Sequence, residues 1–121
     1  MADELTEKII GAAIEVHRIL GPGLLESVYE EALCVELELR GLRYERQVAV
    51  DFQYKGRAIK GQKLDLLIEG QVIVELKSAT QLAEVATAQV LSYLKATGLK
   101  RGLVINFGLP RLVDGVKRLS L

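Results

Sequence analysis

Residues 65–77, Asp-Leu-Leu-Ile-Glu-Gly-Gln-Val-Ile-Val-Glu-Leu-Lys, decide the fold that this chain can adopt. The run 72–76 is apolar except for Glu75, which is typical of a strand covered on both faces. Glu69-Gly70 predicts a tight turn between this strand and the one before it. Because side chains alternate along a strand, Glu75 and Lys77 share one face.

The same segment carries ionisable groups in an apolar setting. Buried charge is costly unless it is paired or bound to a metal. Asp65 and Glu75 offer the hard oxygen ligands that Mg²⁺ or Mn²⁺ prefers, and such an ion activates water for hydrolysis of a phosphodiester. Lys77 could orient that water or accept its proton. The alternative is a Glu75–Lys77 ion pair at a solvated strand end.

The register of this hairpin decides whether the two carboxylates can meet. If Glu69-Gly70 is a strict two-residue turn, Asp65 and Glu75 point to opposite faces of the sheet. A shared metal site therefore predicts a three-residue turn, or an irregularity of the strand between Lys63 and Asp65. Bulges are frequent next to active sites. A regular hairpin would count strongly against the site.

Hydrophobic periodicity predicts the elements around the hairpin. A first helix ends at Gly21-Pro22-Gly23, and the second, roughly 24–40, is expected to pack against it. The second helix carries an apolar stripe formed by Leu25, Val28, Ala32, Val35 and Leu39. The later elements are strands from Tyr44 to Lys77 arranged as a meander, a helix over 81–96 ended by Gly98, a strand over 102–107, and a last short strand or edge segment over 116–121. The order ααβββαβ predicts an α/β class with a mixed sheet.

Length and composition bound the kind of protein. The 121 residues, half of them apolar, predict one globular domain over 1–121. No apolar stretch approaches the roughly 20 residues of a membrane span, and the N-terminus lacks a signal-peptide core. A single cysteine, Cys34, favours the reducing cytoplasm. Sixteen basic and sixteen acidic residues give zero net charge, which argues against an indiscriminate nucleic-acid binder.

Two further polar residues interrupt the apolar stripes of helices. Glu26 lies on such a stripe near the start of the second helix, where a carboxylate also suits the helix dipole. Gln89 interrupts the stripe of the third helix, where an amide needs a partner. Glu26 could be a plain helix-start charge, and Gln89 could be a satisfied core glutamine. His17 and Cys34 lack partners at ligand spacing and are expected to be structural.

Two motifs resemble a known family. Asp65, nine residues, then Glu75-Leu-Lys77 is similar to the signature of the PD-(D/E)xK nuclease superfamily, whose restriction-endonuclease-like core is αβββαβ. Gly23-Leu-Leu-Glu26-Ser-Val-Tyr29 resembles the hallmark of the GxxExxY family within that superfamily. The likeness extends along most of the chain, through IIGAAIEVHRILGPG, GQVIVELKS, AQVLSYLKATG and LVINFG.

The resemblance implies a role for each matching residue. Asp65 and Glu75 would bind a divalent metal, the backbone carbonyl of Leu76 would be a further ligand, and Glu26 would complete the site. Lys77 would be the catalytic lysine, and Gln89 would lie near the substrate phosphate. Related sequences commonly carry a histidine three residues before this glutamine, and here that position is Ala86, which puts full activity in doubt.

Three hypotheses follow. The first is a metal-dependent nuclease acting on DNA or RNA, with phosphate contacts chosen from Lys60, Lys63, Lys95, Lys100 and Arg101. The second is a non-catalytic module that binds nucleic acid or protein and has kept only the fold; neutral charge and Ala86 favour it. The third is a homodimer whose two sites act on paired strands and which collects the basic surface that one protomer lacks.

Overall fold

The computed structural model describes residues 3–81 and 84–121. Its elements, in chain order, are α1 (Glu4–Leu20), α2 (Glu26–Leu39), β1 (Tyr44–Tyr54), β2 (Arg57–Ile68), β3 (Val72–Lys77), α3 (Glu84–Thr97), β4 (Arg101–Asn106) and β5 (Val116–Ser120), with a short 3₁₀ turn at Leu112–Gly115. The predicted order is confirmed, including the last strand. Of the helix predicted over 81–96, Leu82 and Ala83 lie outside the described residues.

The five strands form one mixed sheet in the order β1-β2-β3-β4-β5. β3 and β4 are parallel, and every other neighbouring pair is antiparallel. A parallel pair needs a crossover, and α3 supplies it. The predicted α/β class, an αβββαβ core with an extra N-terminal helix, is therefore confirmed. None of the described helices is long and apolar enough to cross a membrane.

Two cores lie on the two faces of the sheet. The first core packs α1 and α2 against one face and includes Val72, Val74 and Leu76 of β3. The second core packs α3 against the other face and includes Ile73. The alternation along β3 therefore places Glu75 and Lys77 on the α3 face, as their spacing predicted.

The apolar stripe predicted to pack α2 is the wrong one. Leu25, Val35 and Leu39 are 74%, 54% and 76% exposed, whereas Leu33 and Leu37 are fully buried in the first core. The helix carries two apolar stripes, and periodicity cannot rank them. Packing decides between them, because the buried stripe is the one that reaches the sheet. We call Leu25, Val28, Val35 and Leu39 the exposed stripe of α2.

Candidate functional site

The turn between β2 and β3 contains three residues, which confirms one of the two predicted alternatives. Ile68 pairs with Val72, and the register continues to the pair Leu66–Val74. Glu69 and Gly70 both have positive φ, and the Gln71 N–H donates to the Ile68 carbonyl at 3.0 Å. The extra turn residue shifts the register by one relative to a two-residue turn, which brings Asp65 opposite Glu75.

Asp65 of β2 and Glu75 of β3 each accept a hydrogen bond from the backbone of the other strand, at the point where the ladder between β2 and β3 stops. The Asp65 N–H donates to Glu75 Oε1 at 2.9 Å, and the Leu76 N–H donates to Asp65 Oδ2 at 2.8 Å. Each carboxylate thus accepts from a backbone N–H that would otherwise lack a carbonyl acceptor on the neighbouring strand. The N–H and C=O of one strand residue point to the same edge, so the Leu76 carbonyl also faces Asp65.

At Asp65 the side chains of β1 and β2 switch from one face of the sheet to the other. Leu64 and Leu66 should share a face of β2, but Leu64 lies in the second core and Leu66 in the first. In β1, Gln47 lies in the gap of the register opposite Asp65 and has φ of +51°. The predicted irregularity between Lys63 and Asp65 is therefore present as well, centred on Asp65 rather than before it.

Glu75 is the most perturbed carboxyl of the site. Its side chain is only 4% exposed. Burial and then the negative charge of Asp65 raise its pKa to about 7, and the charge of Glu26 adds to this increase. The bond from the Asp65 N–H and the charge of Lys77 act in the opposite direction and lower the pKa. The site therefore carries clustered negative charge that its own cation only partly offsets.

The GxxExxY motif shapes the approach to this cluster. The Tyr29 hydroxyl donates to the Gly21 carbonyl at 2.5 Å and accepts from the Leu24 N–H at 3.1 Å, which closes the loop before α2. Ser78, which follows β3, donates to the Leu24 carbonyl at 2.6 Å. These bonds place exposed Glu26, at the first turn of α2, beside the end of β3.

A divalent ion fits the donors that these elements assemble. Two carboxylates and one backbone carbonyl are the oxygen ligands that Mg²⁺ and Mn²⁺ prefer. A cation would also relieve the repulsion that raises the pKa of Glu75. Within residues 3–81 and 84–121, no three His, Cys, Asp or Glu side chains lie close enough to hold a metal ion together. Glu26 therefore does not form such a group with the two carboxylates.

α3, which packs on the same face of the sheet as Glu75, carries one unsatisfied amide. Gln89 Oε1 is buried and has no hydrogen-bond partner among the described residues. It borders a cavity of about 310 Å³ that Gln62 and Tyr93 also line. Ala86, three residues before Gln89, is fully buried in the second core, and a larger side chain there would require repacking.

The basic residues predicted to contact phosphate are scattered. Lys63 and Lys95 are exposed, and Lys60 pairs with Asp51 at 2.9 Å. Arg101 pairs with Val72 in the sheet, which puts it at the opposite end of β3 from Lys77, about 17 Å away by the strand rise. The Arg101 side chain is held there by Asp3 and Gln71. Lys100 and Arg101 therefore lie away from the site.

Sequence reasoning missed Asn106, a residue that supports the site. Fully buried Asn106 accepts from the N–H groups of Ala79 and Gly108 at 2.9 Å and donates to the carbonyls of Ala79 and Gln81. It thereby holds the segment that follows Lys77. A polar residue at the end of an apolar strand was the available signal. His17 and Cys34 are buried, as their structural assignment predicted.

Comparison with known proteins identifies the superfamily of this chain. A family model described as the PD-(D/E)XK nuclease superfamily matches residues 3–119. No curated protein sequence matches the chain. The crystal structure of SSO0001 is similar at 13% identity and a TM-score of 0.46, over 98% of this chain and 77% of that one, which is too weak to add to the assignment. The family match over residues 3–119 shows that the chain belongs to the PD-(D/E)XK nuclease superfamily.

Proposed function

We propose that this chain is a divalent-metal-dependent nuclease that hydrolyses phosphodiester bonds in DNA or RNA. The observation that carries the proposal is that Asp65 and Glu75 lie together where the ladder between β2 and β3 stops. Lys77 follows two residues after Glu75. Membership of the PD-(D/E)XK nuclease superfamily supports the same reaction class.

Asp65, Glu75 and the Leu76 carbonyl would hold Mg²⁺ or Mn²⁺, with Glu26 completing the site. When bound, the ion lowers the pKa of a water and neutralises charge that develops on the phosphate. The carboxylates supply the negative charge that retains it. Glu75 can do so only when ionised, and its raised pKa places that ionisation near neutrality.

The remaining groups would orient the substrate and move the proton. Half-buried Lys77 lies on the same face as Glu75, where its ammonium would orient the attacking water or its neutral amine would accept the proton of that water. Gln89, whose Oε1 has no partner among the described residues, lies on the helix that packs on this face and would contact the phosphate. Exposed Lys63 and Lys95 would contact neighbouring phosphates and contribute salt-dependent affinity.

The test is metal-dependent cleavage of branched, single-stranded and duplex DNA and RNA. We expect cleavage by the wild type with Mg²⁺ or Mn²⁺, and loss of about two to four orders of magnitude in Lys77→Met and Glu75→Gln. Lys100→Met is the matched control, because Lys100 precedes β4 at the far end of the sheet. Cleavage that persists in both site variants would remove this site from the reaction.

The alternative function is a non-catalytic module that binds nucleic acid or protein. The buried Ala86 favours it, because the position that carries histidine in related sequences is filled by core packing. This alternative predicts that the wild type binds nucleic acid without cleaving any member of the panel. Intact Glu26, Asp65, Glu75 and Lys77 favour the nuclease.

We also propose membership of the GxxExxY family within the superfamily. In support, Tyr29 of the motif closes the loop after Gly21, and that loop leads into the first turn of α2, where Glu26 lies. The chain would act as one domain over residues 1–121. Cytoplasmic action is part of the proposal, because the buried thiol of Cys34 suits a reducing compartment.

A homodimer is the proposed assembly. Successive members of the exposed stripe of α2 are three, seven and four residues apart, a spacing that keeps them on one side of the helix and allows two helices to pack along a seam. A second copy packed there would bring two sites into one particle. Sedimentation velocity of the wild type and of Leu39→Glu tests this, and a monomeric wild type at micromolar concentration would contradict it.

A further inference from the structure

We infer that Gln47 is a positioning residue for Asp65, an inference that rests on the proposed metal site. Gln47 Nε2 donates to Asp65 Oδ1 at 3.4 Å and to Glu30 Oε1 at 2.9 Å. The Leu76 N–H holds the other oxygen of Asp65 at 2.8 Å. The carboxylate of Asp65 is therefore held from both sides, by β1 through a side chain and by β3 through the backbone.

The backbone of Gln47 shows that this placement is imposed. Its φ of +51° lies in the left-handed region, which is unfavourable for a residue with a Cβ and rare within a strand. Such a conformation persists only where the surrounding structure requires it, and it is concentrated at functional sites. Here it coincides with the point at which β1 and β2 change faces, directly opposite Asp65. Glycine or asparagine would adopt this φ more easily, so the identity of the side chain points to its amide.

A buried carboxylate fixes the orientation of that amide. Glu30 is only 9% exposed, and its Oε2 accepts from Arg46 Nη2 at 2.8 Å and Nε at 3.1 Å. Its Oε1 is left for Gln47. An ionised carboxylate only accepts hydrogen bonds, so the NH₂ group of Gln47 must face Glu30 and the same group reaches Asp65. The hydrogen-bond chain thus runs from α2 through β1 to the site.

An amide suits this position better than a charged group would. It donates to Asp65 without adding a positive charge that would compete with a bound cation. A lysine or arginine would neutralise the carboxylate, and an aspartate or glutamate would repel both of its neighbours. Groups that orient metal ligands in this way typically change metal affinity by about 10- to 100-fold when they are removed.

The test uses Gln47→Met, Gln47→Gly and the matched control Gln53→Met, which removes an exposed amide from the same strand. The first readout is the amide proton of Leu76 in ¹H–¹⁵N NMR spectra of the ion-free protein. This amide lies on β3, two strands from Gln47, and reports the hydrogen bond to Asp65. The second readout is the affinity for Mn²⁺ by titration calorimetry.

We expect both Gln47 variants to move the Leu76 resonance upfield and to weaken Mn²⁺ binding by about 10- to 100-fold, with Gln53→Met unchanged. Because glycine accepts the positive φ, Gln47→Gly separates the amide from the backbone conformation. A Gln47→Gly protein with the wild-type Leu76 resonance and Mn²⁺ affinity would overturn the inference. Wild-type protein that binds Mn²⁺ without cleaving nucleic acid would instead refute only the proposed function.

Discussion

Replacing Glu75 with glutamine is expected to stabilise the ion-free protein above neutral pH. The carboxyl is 4% exposed, and burial together with the charge of Asp65 raises its pKa from 4.5 to about 7. Each pH unit between these two values corresponds to about 1.4 kcal/mol, so ionised Glu75 costs the fold about 3 kcal/mol in free energy of unfolding. A neutral amide of the same size avoids this cost and still accepts from the Asp65 N–H.

The direction of the pH dependence follows from the raised pKa. A carboxyl whose pKa is higher in the folded state contributes stability that is present below its unfolded pKa and is lost as the pH rises through its folded pKa. For Glu75 that window runs from 4.5 to about 7. The wild type should therefore lose about 3 kcal/mol across the window that the Glu75→Gln protein retains.

Urea unfolding with a chelator present measures this difference. At about pH 8 the unfolding midpoint of Glu75→Gln should exceed that of the wild type by about 1.5 M, for a slope of about 2 kcal/mol per molar urea. At about pH 4 the two midpoints should coincide. Glu45→Gln, at an exposed glutamate of β1, is the control. Equal midpoint differences at both pH values, or a less stable variant at high pH, would refute the assignment of the raised pKa to Glu75.

Three further outcomes are expected. Mn²⁺ affinity should rise about tenfold per pH unit up to the Glu75 pKa of about 7 and level off above it, because the ion competes with a proton for this carboxylate. Titration calorimetry measures this, and an affinity that does not change with pH would contradict the competition. Tyr29→Phe should lower the free energy of unfolding by about 1–2 kcal/mol, because the Gly21 carbonyl loses its hydrogen-bond donor. An unchanged unfolding temperature in scanning calorimetry would contradict this. Gly108→Ala should cost about 3 kcal/mol in chemical unfolding, because a Cβ there would lie 2.2 Å from the Ala79 carbonyl oxygen; a wild-type midpoint would disprove that close approach.

Local patterns were sufficient to predict most of the fold. The apolar run of β3, the breaks at Gly21-Pro22-Gly23 and Gly98, and the alternation in β1 each depend on backbone preferences that act over a few residues. The burial of α2 could not be predicted in this way. Its two apolar stripes are both regular, and only the position of the sheet decides which of them is covered.

The candidate site was predictable in its residues more than in its geometry. Asp65, Glu75 and Lys77 stand out because they are charged positions in apolar strands. The turn length could not be read from Glu69-Gly70 alone, since both alternatives use the same residues. Gln47 gave no signal at all, because a polar side chain at an alternating strand position is ordinary and its positive φ belongs to a gap in the register with β2 that the sequence does not show.

The hydrogen bonds of the ion-free site explain how it can remain folded and still receive a cation. Glu75 Oε1 is occupied by the Asp65 N–H and Asp65 Oδ2 by the Leu76 N–H. Each carboxylate therefore keeps one oxygen for the backbone, and the other oxygen of Asp65 accepts from Gln47 Nε2 at 3.4 Å. Binding of an ion would not require either backbone bond to break, so the hairpin would stay closed while the clustered charge is neutralised. At the proposed metal site, the stability cost of ionised Glu75 would be recovered on ion binding, which would couple the proton, the cation and the fold at one point of the sheet.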